Sequence, residues 1–297
     1  MDDRRVRIGI SLGPAGAPAG FAAAVDLLEA TGIDSLWLPE HVYGPAVEPF
    51  TGIAFALART RRLKAGSGIS VLPGRHPVLV AKQLASLAGL APGRVLPVFG
   101  LRPALAAERD LFPVPPGQRA AVFDEALTLL RELLTSETVS FSGSFFTVDG
   151  ASAKPLPAKP LDIWLAGSAP AGLRRAGRLG DGWLGSLLTP AEAAEAVRTI
   201  NQAAAEAGRE VDRDHFGLSL SVAFGELPAT VAAAITARRP DADPRALVAD
   251  GWADARRRIS AYVGAGLSKF VVRQASPVMP AEEFVAGFAA ELMPLQT

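Results

Sequence analysis

The feature that most constrains the fold is a regular alternation of short apolar runs with longer helical patterns. The runs have β-strand character, and several are apolar almost throughout, as strands covered on both faces must be. They are VRIGI (6–10), SLWLP (35–39), LKAGSGI (63–69), VLPVF (95–99), DIWLA (162–166), GWLGS (182–186), GLSLSVA (217–223) and KFVVR (269–273). Because each run is followed by a helical pattern, the sequence predicts an α/β protein with a closed (β/α)8 barrel. A doubly wound open sheet fits the same alternation and is the alternative.

Helical patterns fill the intervals between these runs. In the first interval Phe21, Val25 and Leu28 share one face of a helix, and Gly32 is placed to end it as a left-handed cap. The other predicted helices cover about 49–58, 78–88, 119–134, 170–179, 190–207 and 281–291. A chain of 297 residues is within the size range of one such barrel, so we expect a single domain over 1–297.

Two segments depart from the simple repeat. Residues 137–150 alternate with period two around Gly143, which predicts a surface hairpin. Residues 224–265 are too long for a plain loop and carry helical patterns around a break rich in Pro and Asp, which predicts an inserted helical segment. We therefore expect a barrel with two insertions.

Composition excludes several classes of partner and site. Thirty basic and thirty acidic residues leave no net charge, and no basic block interleaved with aromatics occurs, which argues against nucleic acid or an anionic membrane as partner. The absence of cysteine excludes thiolate nucleophiles and Cys-based metal sites, and three scattered histidines do not form a metal site. The N-terminus has no signal-peptide core and no apolar run reaches about 18 residues, so we expect a cytoplasmic protein with a small-molecule substrate.

The dipeptide Glu40-His41 stands just beyond the second predicted strand. In a parallel barrel the loops after the strands build the functional face, so both side chains are expected there. An imidazole with a pKa near neutrality can give or take a proton, which makes His41 and its neighbour Glu40 the candidate catalytic residues. The alternative is that His41 caps a loop and Glu40 is solvated.

Two further loops after strands carry polar or small residues. Arg75 and His76 precede Pro77 at the start of a helical pattern, so we expect them to hydrogen-bond the turn and start the helix. Gly167 and Ser168 lead directly into the next helix, where free backbone N–H groups and the positive end of the helix dipole can hold an anionic group. A plain helix cap is the alternative for this second turn.

Other reaction classes lack their motifs. A serine hydrolase would need G-x-S-x-G on a strand-to-helix elbow, and GSGIS has the wrong order. A P-loop and a G-x-G-x-x-G fingerprint are also missing. The substrate is not encoded in any motif, although the segment 224–265 and Arg273-Gln274 at the last strand are expected to shape its pocket.

An ordered series of segments carries a resemblance to a known family. The segments are DSLWLPEH, ARTRRLKAGSGISVLPGRHPVLVAKQLASL, GRVLPVFG, FDEALTLLRELLTSETVSFSGSFF, PLDIWLAGSAPAGLRRAGRLGDGW and GLSKFVV. With them the chain resembles the bacterial-luciferase-like superfamily of flavin and deazaflavin oxidoreductases. It is most similar to the branch that uses the deazaflavin coenzyme F-420.

The resemblance implies a function and a coenzyme. The implied function is a coenzyme F-420-dependent oxidoreductase that transfers hydride to or from a small organic substrate. An FMN-dependent monooxygenase of the same superfamily is the first alternative, and a catalytically inactive flavin-binding barrel is the second. Many relatives are dimers, so the resemblance is compatible with a homodimer.

The resemblance also assigns roles to individual residues. His41 is the implied proton partner or substrate ligand, with Glu40 in the family's acidic position, and a non-prolyl cis peptide is implied at Gly68-Ile69. Arg102 stands where relatives usually have a small residue, and with Arg174 and Arg175 it is expected to favour the anionic tail of the deazaflavin unless neighbouring acids pair with these arginines. The implied coenzyme-binding residues are Ser11, Gly68, Ile69, Ser70, Gly100, Arg102, Gly167, Ser168 and Ala169. We expect one face of the barrel to bring together Ser11, Glu40, His41, Ser70, Gly100, Gly167 and Arg273.

Overall fold

The computed structural model describes residues 4–12, 16–275 and 279–297, and shows an α/β fold. The strands are β1 (Arg7–Ile10), β2 (Ser35–Leu38), β3 (Lys64–Ser67), β4 (Ser70–Val71), β5 (Val95–Leu96), β6 (Val98–Gly100), β7 (Val139–Ser142), β8 (Thr147–Ala151), β9 (Trp164–Ala166), β10 (Gly182–Ser186), β11 (Phe216–Ala223), β12 (Val248–Asp250) and β13 (Lys269–Gln274). The helices are α1 (Pro18–Thr31), α2 (Pro49–Arg59), α3 (Pro77–Leu90), α4 (Arg119–Thr135), α5 (Pro170–Leu179), α6 (Pro190–Glu206), α7 (Ala229–Arg238), α8 (Gly251–Gly264) and α9 (Ala281–Glu291).

One curled parallel sheet organises the chain. Its strands pair in the order β4-β6-β9-β10-β11-β13-β1-β2-β3-β5, and β12 pairs with β11 beside this path. These neighbours are parallel, so their carboxyl ends lie at one end of the sheet. We call this end the mouth end and the opposite one the amino end. The parallel arrangement and the strand positions confirm the predicted alternation.

Two predicted strands are interrupted. The predicted run 63–69 ends as a strand at Ser67 and resumes at Ser70, because Gly68-Ile69 is a cis peptide. The predicted run 95–99 is divided at Pro97, which has no backbone N–H to donate to a neighbouring strand. In both cases the structure differs from the prediction only in that the strand is interrupted, because each divided strand keeps its parallel neighbours.

Local sequence signals explain where the helices begin and end. In α1, Pro18 occupies the first turn and Gly32 ends the helix at φ 80°, as its spacing predicted. In α6, Thr189 and Glu192 form a capping box, a device that contributes about 1 kcal/mol to a helix. These signals act within one turn of the chain, so they are legible in the sequence.

Of the three hydrophobic clusters among the described residues, two are separated by strand alternation. Leu36 and Leu38 of β2 pack with the helices in the larger cluster, whereas Trp37 between them belongs to the smaller one. The smaller cluster also contains Trp164 and Val271. Since successive side chains of a strand point to opposite faces, the smaller cluster lies on the face of the sheet that the helices do not cover.

Both insertions occur where the sequence predicts them. Strands β7 and β8 form the antiparallel hairpin, and the Glu125 carboxylate accepts backbone N–H groups of Ser144, Phe145 and Phe146 at 2.7–2.8 Å. The segment 224–265 contains α7, a 3-10 helix at Pro244–Leu247, β12 and α8. Strand β12 was not predicted, because three residues that pair at the edge of β11 carry no periodic signal of their own.

No helix within the described ranges is both long enough and apolar enough to cross a membrane.

Candidate active site

His41 lies just beyond β2 at the mouth end. Its Nδ1 is buried and has no hydrogen-bond partner among the described residues. Burial lowers the pKa of His41, an effect that Glu108 opposes and that Arg273 and Arg238 reinforce. The imidazole is therefore neutral at pH 7 and can accept a proton.

Glu40 is 4% exposed, and both of its carboxylate oxygens have partners. One oxygen accepts the Val71 N–H at 2.8 Å, and the other accepts a hydrogen bond from the Arg75 guanidinium. Burial raises the pKa of Glu40, although the Val71 N–H and Arg75 act in the opposite direction. Glu40 thus joins the end of β2 to β4, beside His41.

Arg75 has the structural role that the sequence predicts. Its Nε donates to the Val71 carbonyl at 2.9 Å, and its guanidinium lies over the rings of Phe50 and Phe112 at 5.7 and 5.5 Å. His76 stands at the N-cap of α3, and its carbonyl accepts the N–H groups of Leu79 and Val80, so it starts the helix as predicted although its side chain forms no cap. Instead, the His76 ring packs edge-on against Phe146 at 5.8 Å, because the β7–β8 hairpin reaches this helix start.

The peptide between Gly68 and Ile69 is cis, which confirms the implied geometry. It is held by hydrogen bonds from the Gly68 N–H to Leu38 and from the Glu40 N–H to Ile69, at 2.8 and 3.2 Å. A Cβ on Gly100 would lie 2.1 Å from Ile69 Cδ1, so Gly100 makes room for that side chain. These contacts fix the floor of the mouth end.

Two serines complete this floor. Ser70 is fully buried, and its Oγ has no hydrogen-bond partner among the described residues. Ser11 is 7% exposed, and its backbone N–H donates to Val272 at 2.9 Å. Both residues lie at the mouth end, as predicted.

The turn Gly167-Ser168-Ala169 is exposed and leads into α5. Gly167 has φ 127°, a conformation that favours glycine, and a Cβ there would meet no atom within 4 Å. The Gly167 carbonyl accepts the Trp183 indole N–H at 2.8 Å, which fixes the turn. The start of α5 is therefore open to a group that approaches its backbone N–H groups.

Three arginines lie between β6 and the first residue of α4. Arg102 and Arg109 are exposed, whereas Arg119 is partly buried and donates to the Phe112 carbonyl at 2.7 Å. Burial lowers the pKa of Arg119, and the charges of Arg102 and Arg109 lower it further. The three side chains thus form a positive cluster at the mouth end.

The arginines at the start of α5 differ from one another. Arg175 is paired with Asp124 and lies over the Phe123 ring at 5.6 Å, which confirms the ion-pair alternative for this residue. Arg174 is exposed to solvent. Arg175 therefore stabilises the contact between α4 and α5.

Two charged residues at the site were not identified from the sequence. Glu108 is fully buried, and one of its oxygens accepts the Tyr43 N–H at 3.0 Å while the other has no partner among the described residues. Arg238 ends α7 and donates to the Ser186 hydroxyl at 3.4 Å. No local pattern marks either residue, because their placement depends on how distant segments pack.

The predicted mouth-end residues all lie at or just after the carboxyl ends of parallel strands, as the register of the sheet requires. In the parts of the chain that the structure describes, no group of three or more His, Asp or Glu residues is arranged to hold a metal ion.

Comparison with known proteins places the chain in a family. The family model for luciferase-like monooxygenases matches residues 5–288. A relative from Beutenbergia cavernae, an F-420-dependent glucose-6-phosphate dehydrogenase, is 31% identical over 217 residues. That match covers 69% of this chain and 63% of the relative, which is less than two thirds of the relative's length.

Solved structures share the fold. An F-420-dependent secondary alcohol dehydrogenase in complex with an F-420–acetone adduct superposes with a TM-score of 0.82 and 18% identity, covering 99% of this chain and 100% of the other. A second structure is the oxygenating constituent of 3,6-diketocamphane monooxygenase from Pseudomonas putida, in complex with FMN. It superposes with a TM-score of 0.74 and 16% identity, covering 99% of both chains. At these identities the likeness shows the fold alone. The match of the family model over nearly the whole chain shows that this protein belongs to the luciferase-like monooxygenase family of oxidoreductases.

Proposed function

We propose that this protein is a coenzyme F-420-dependent oxidoreductase that transfers hydride between the deazaflavin and a small organic substrate. The observation that carries the proposal is the partly exposed imidazole of His41 just beyond β2 at the mouth end, whose pKa is lowered by burial. An alcohol or carbonyl substrate must exchange a proton at its oxygen when hydride is transferred at its carbon, and His41 is suited to that exchange.

The proposed architecture is a closed (β/α)8 barrel that forms a single domain over 1–297. The pairing path ends at β4 and at β5, but β4 continues β3 after two residues and β6 continues β5 after one. The divided strand β3–β4 thus pairs with the divided strand β5–β6. The other edge of β3 pairs with β2, and the other edge of β6 pairs with β9. This arrangement supports a ring of eight parallel strands.

The residues at the mouth end fit a flavin-type coenzyme. Ser70 Oγ is a buried polar atom without a partner among the described residues, and open space lies at the Gly167 turn. The residues that would hold the coenzyme are Ser11, Gly68, Ile69, Ser70, Gly100, Arg102, Gly167, Ser168 and Ala169. When bound, the deazaflavin supplies two-electron hydride chemistry.

The chain's own residues then perform the acid–base part of the reaction. In the oxidising direction His41 accepts the proton of the substrate hydroxyl, and in the reducing direction it returns that proton to the carbonyl oxygen. Glu40 positions His41, because it is bonded to Val71 and Arg75 and ties the end of β2 to β4. We thus assign proton transfer to His41 and a positioning role to Glu40.

The arginine cluster after β6 supports the deazaflavin over FMN. The deazaflavin has an anionic lactyl-oligoglutamate tail, whereas FMN ends at its phosphate, and no acid among the described residues forms an ion pair with Arg102, Arg109 or Arg119. If the tail lies against these arginines, we expect the preference for the deazaflavin to depend on their charge and to weaken as salt screens it. The proposed partner is a small molecule, with neither nucleic acid nor membrane, and a homodimer stays a prediction.

Equilibrium binding of the deazaflavin and of FMN, measured side by side at several salt concentrations, tests this assignment. We expect tighter binding of the deazaflavin, weakening with salt and weakening several-fold in Arg102→Ala. Arg61→Ala is the matched control, since Arg61 is an exposed arginine at the amino end. Equal or tighter FMN binding, insensitive to salt and to Arg102→Ala, together with oxygen consumption by the reduced flavin, would instead establish an FMN-dependent monooxygenase.

A further inference from the structure

Helix α7 places an arginine over the mouth end. Ile235 of this helix belongs to one hydrophobic cluster with Leu187 after β10 and Ala223 at the end of β11, and Ala275 after β13 packs against that cluster. Its last residue, Arg238, donates to the hydroxyl of Ser186 at the end of β10. The segment 224–265 therefore covers the carboxyl ends of these three strands.

Arg273 enters the same region from the end of β13. Its Nε is buried without a hydrogen-bond partner, and within the described ranges no acid forms an ion pair with it. Burial lowers the pKa of Arg273, and the charge of Arg238 lowers it further. Two guanidinium groups thus lie close enough for the charge of one to act on the other, and neither forms an ion pair among the described residues.

The neighbouring Arg239 shows what a structural arginine looks like at this position. It is bonded to the carboxylates of Glu192 and Asp241 and to the Leu187 carbonyl. These bonds fix the end of α7 against the start of α6. Arg238 is not needed for that purpose, and its only hydrogen bond among the described residues is the long one to Ser186.

Arg238 is exposed to solvent, yet enough protein surrounds it for burial to lower its pKa. A side chain that lines an open cleft has both properties. The charges of both Arg238 and Arg273 act on His41, so the two arginines lie on the same part of the mouth end as that imidazole.

Like charges that are partly removed from water and lack a counterion are costly, and a bound anion would relieve that cost. Guanidinium groups present a planar fork of donors that matches the two oxygens of a carboxylate or phosphate. We infer that Arg238 and Arg273 together hold an oxyanion group of the substrate, a carboxylate or a phosphate, beside His41. This inference rests on the proposed function, which it deepens by naming the substrate class.

The experiment titrates inorganic phosphate into the full chain by calorimetry at constant ionic strength, with and without saturating deazaflavin. We expect saturable binding to one site in both states. Arg238→Met and Arg273→Met should each weaken it about tenfold, whereas Arg61→Met at the amino end should leave it unchanged. Arg273→Lys keeps the charge but loses the fork, so an intermediate affinity is expected.

Two results would overturn the inference. One is phosphate binding that does not saturate or that ignores both substitutions. The other is competition between phosphate and the deazaflavin together with a tenfold loss of deazaflavin affinity in both variants, because the arginines would then hold the coenzyme's own anionic group. If Arg273→Met does not fold, Arg238→Met changes an exposed residue at a helix end and still decides the matter.

Failure of the proposed function is a separate outcome. Absence of deazaflavin binding to the unsubstituted protein would overturn the coenzyme assignment, whatever the phosphate titration shows. Normal deazaflavin binding with no phosphate site would overturn only the substrate class.

Discussion

The two ends of the sheet both contain buried charged groups, but they differ in how those groups are satisfied. At the amino end, Asp34 lies between Lys64 and Lys269, and Lys269 also lies over the Trp37 ring at 5.7 Å. Asp181 is bonded in the same way to Arg131 and Arg209. Each of these charges has a partner within the fold.

The mouth end has the opposite character. In the described part of the chain, five buried side-chain atoms lack a hydrogen-bond partner, and all lie here: His41 Nδ1, Ser70 Oγ, Glu108 Oε2, Arg119 Nη1 and Arg273 Nε. Buried polar groups are normally bonded, so this cluster of exceptions sets the mouth end apart from the amino end.

Cavity size alone would point to the amino end instead. A cavity of about 320 Å³ between Trp37 and Trp164, and an open depression of about 980 Å³ near Val211, both lie at the amino end. We give more weight to the unsatisfied groups of the mouth end, because the charges that border the smaller cavity include the paired Lys64 and Lys269. The comparison teaches that the two ends of the sheet differ in hydrogen-bond satisfaction, a difference that cavity size does not reveal.

The largest expected effect is on turnover in His41→Ala. Loss of the proton-transferring imidazole should lower turnover by roughly 10²–10⁴-fold while deazaflavin affinity stays within about twofold, because coenzyme contacts are spread over many backbone groups. His76→Ala is the control, an exposed histidine nearby that should affect only thermal stability. Full turnover in His41→Ala would show that His41 does not transfer the proton.

The next effect contrasts stability at the two ends. Asp34→Ala leaves Lys269 buried without its partner and should lower the free energy of unfolding by about 3 kcal/mol. Arg273→Met removes a charge that has no ion-pair partner among the described residues and should cost far less, or stabilise the protein. Urea unfolding of both variants measures the difference. Equal destabilisation would mean that Arg273 is as structural as Asp34, which would break the comparison.

The smallest expected effect is a difference between the two ends in the pH range over which stability changes. Burial alone would raise the pKa of Asp34, but Lys269 and Lys64 lower it to about 2. Its contribution is therefore complete above the unfolded pKa and is lost as pH falls from about 4 to about 2, a change of roughly 2 kcal/mol. Asp34→Asn should abolish this acid-dependent loss.

His41 affects stability in a higher pH range. Its folded pKa is lowered, so below about pH 6.5 the unfolded chain binds a proton that the folded chain does not, and stability falls as pH falls. Glu108 opposes this shift, and Arg273 and Arg238 reinforce it. Thermal unfolding between pH 5 and 7 should show a smaller slope in His41→Gln. An unchanged slope would mean that His41 is not the group responsible.

Much of the fold was legible in the sequence because its signals are local. Strand runs such as 182–186, the helix cap at Gly32 and the hairpin around Gly143 depend on neighbouring residues. The position of His41 after a strand was informative for a related reason, since parallel strands bring their carboxyl ends together whatever the details of packing. The cis peptide at Gly68-Ile69 came from family resemblance.

The partners of charged side chains were decided only by the tertiary structure. Lys269 meets Asp34 across 235 positions of the chain, and Arg175 meets Asp124 across 51. Arg238 and Arg239 are adjacent in sequence, yet their partners differ. Arg239 is bonded to two acids, whereas Arg238 donates to Ser186 at the mouth end. Glu108 gives no sequence sign that it is buried. Local patterns determine which elements form, but whether a charge is paired depends on which distant element packs beside it, and that is where the site of this protein is defined.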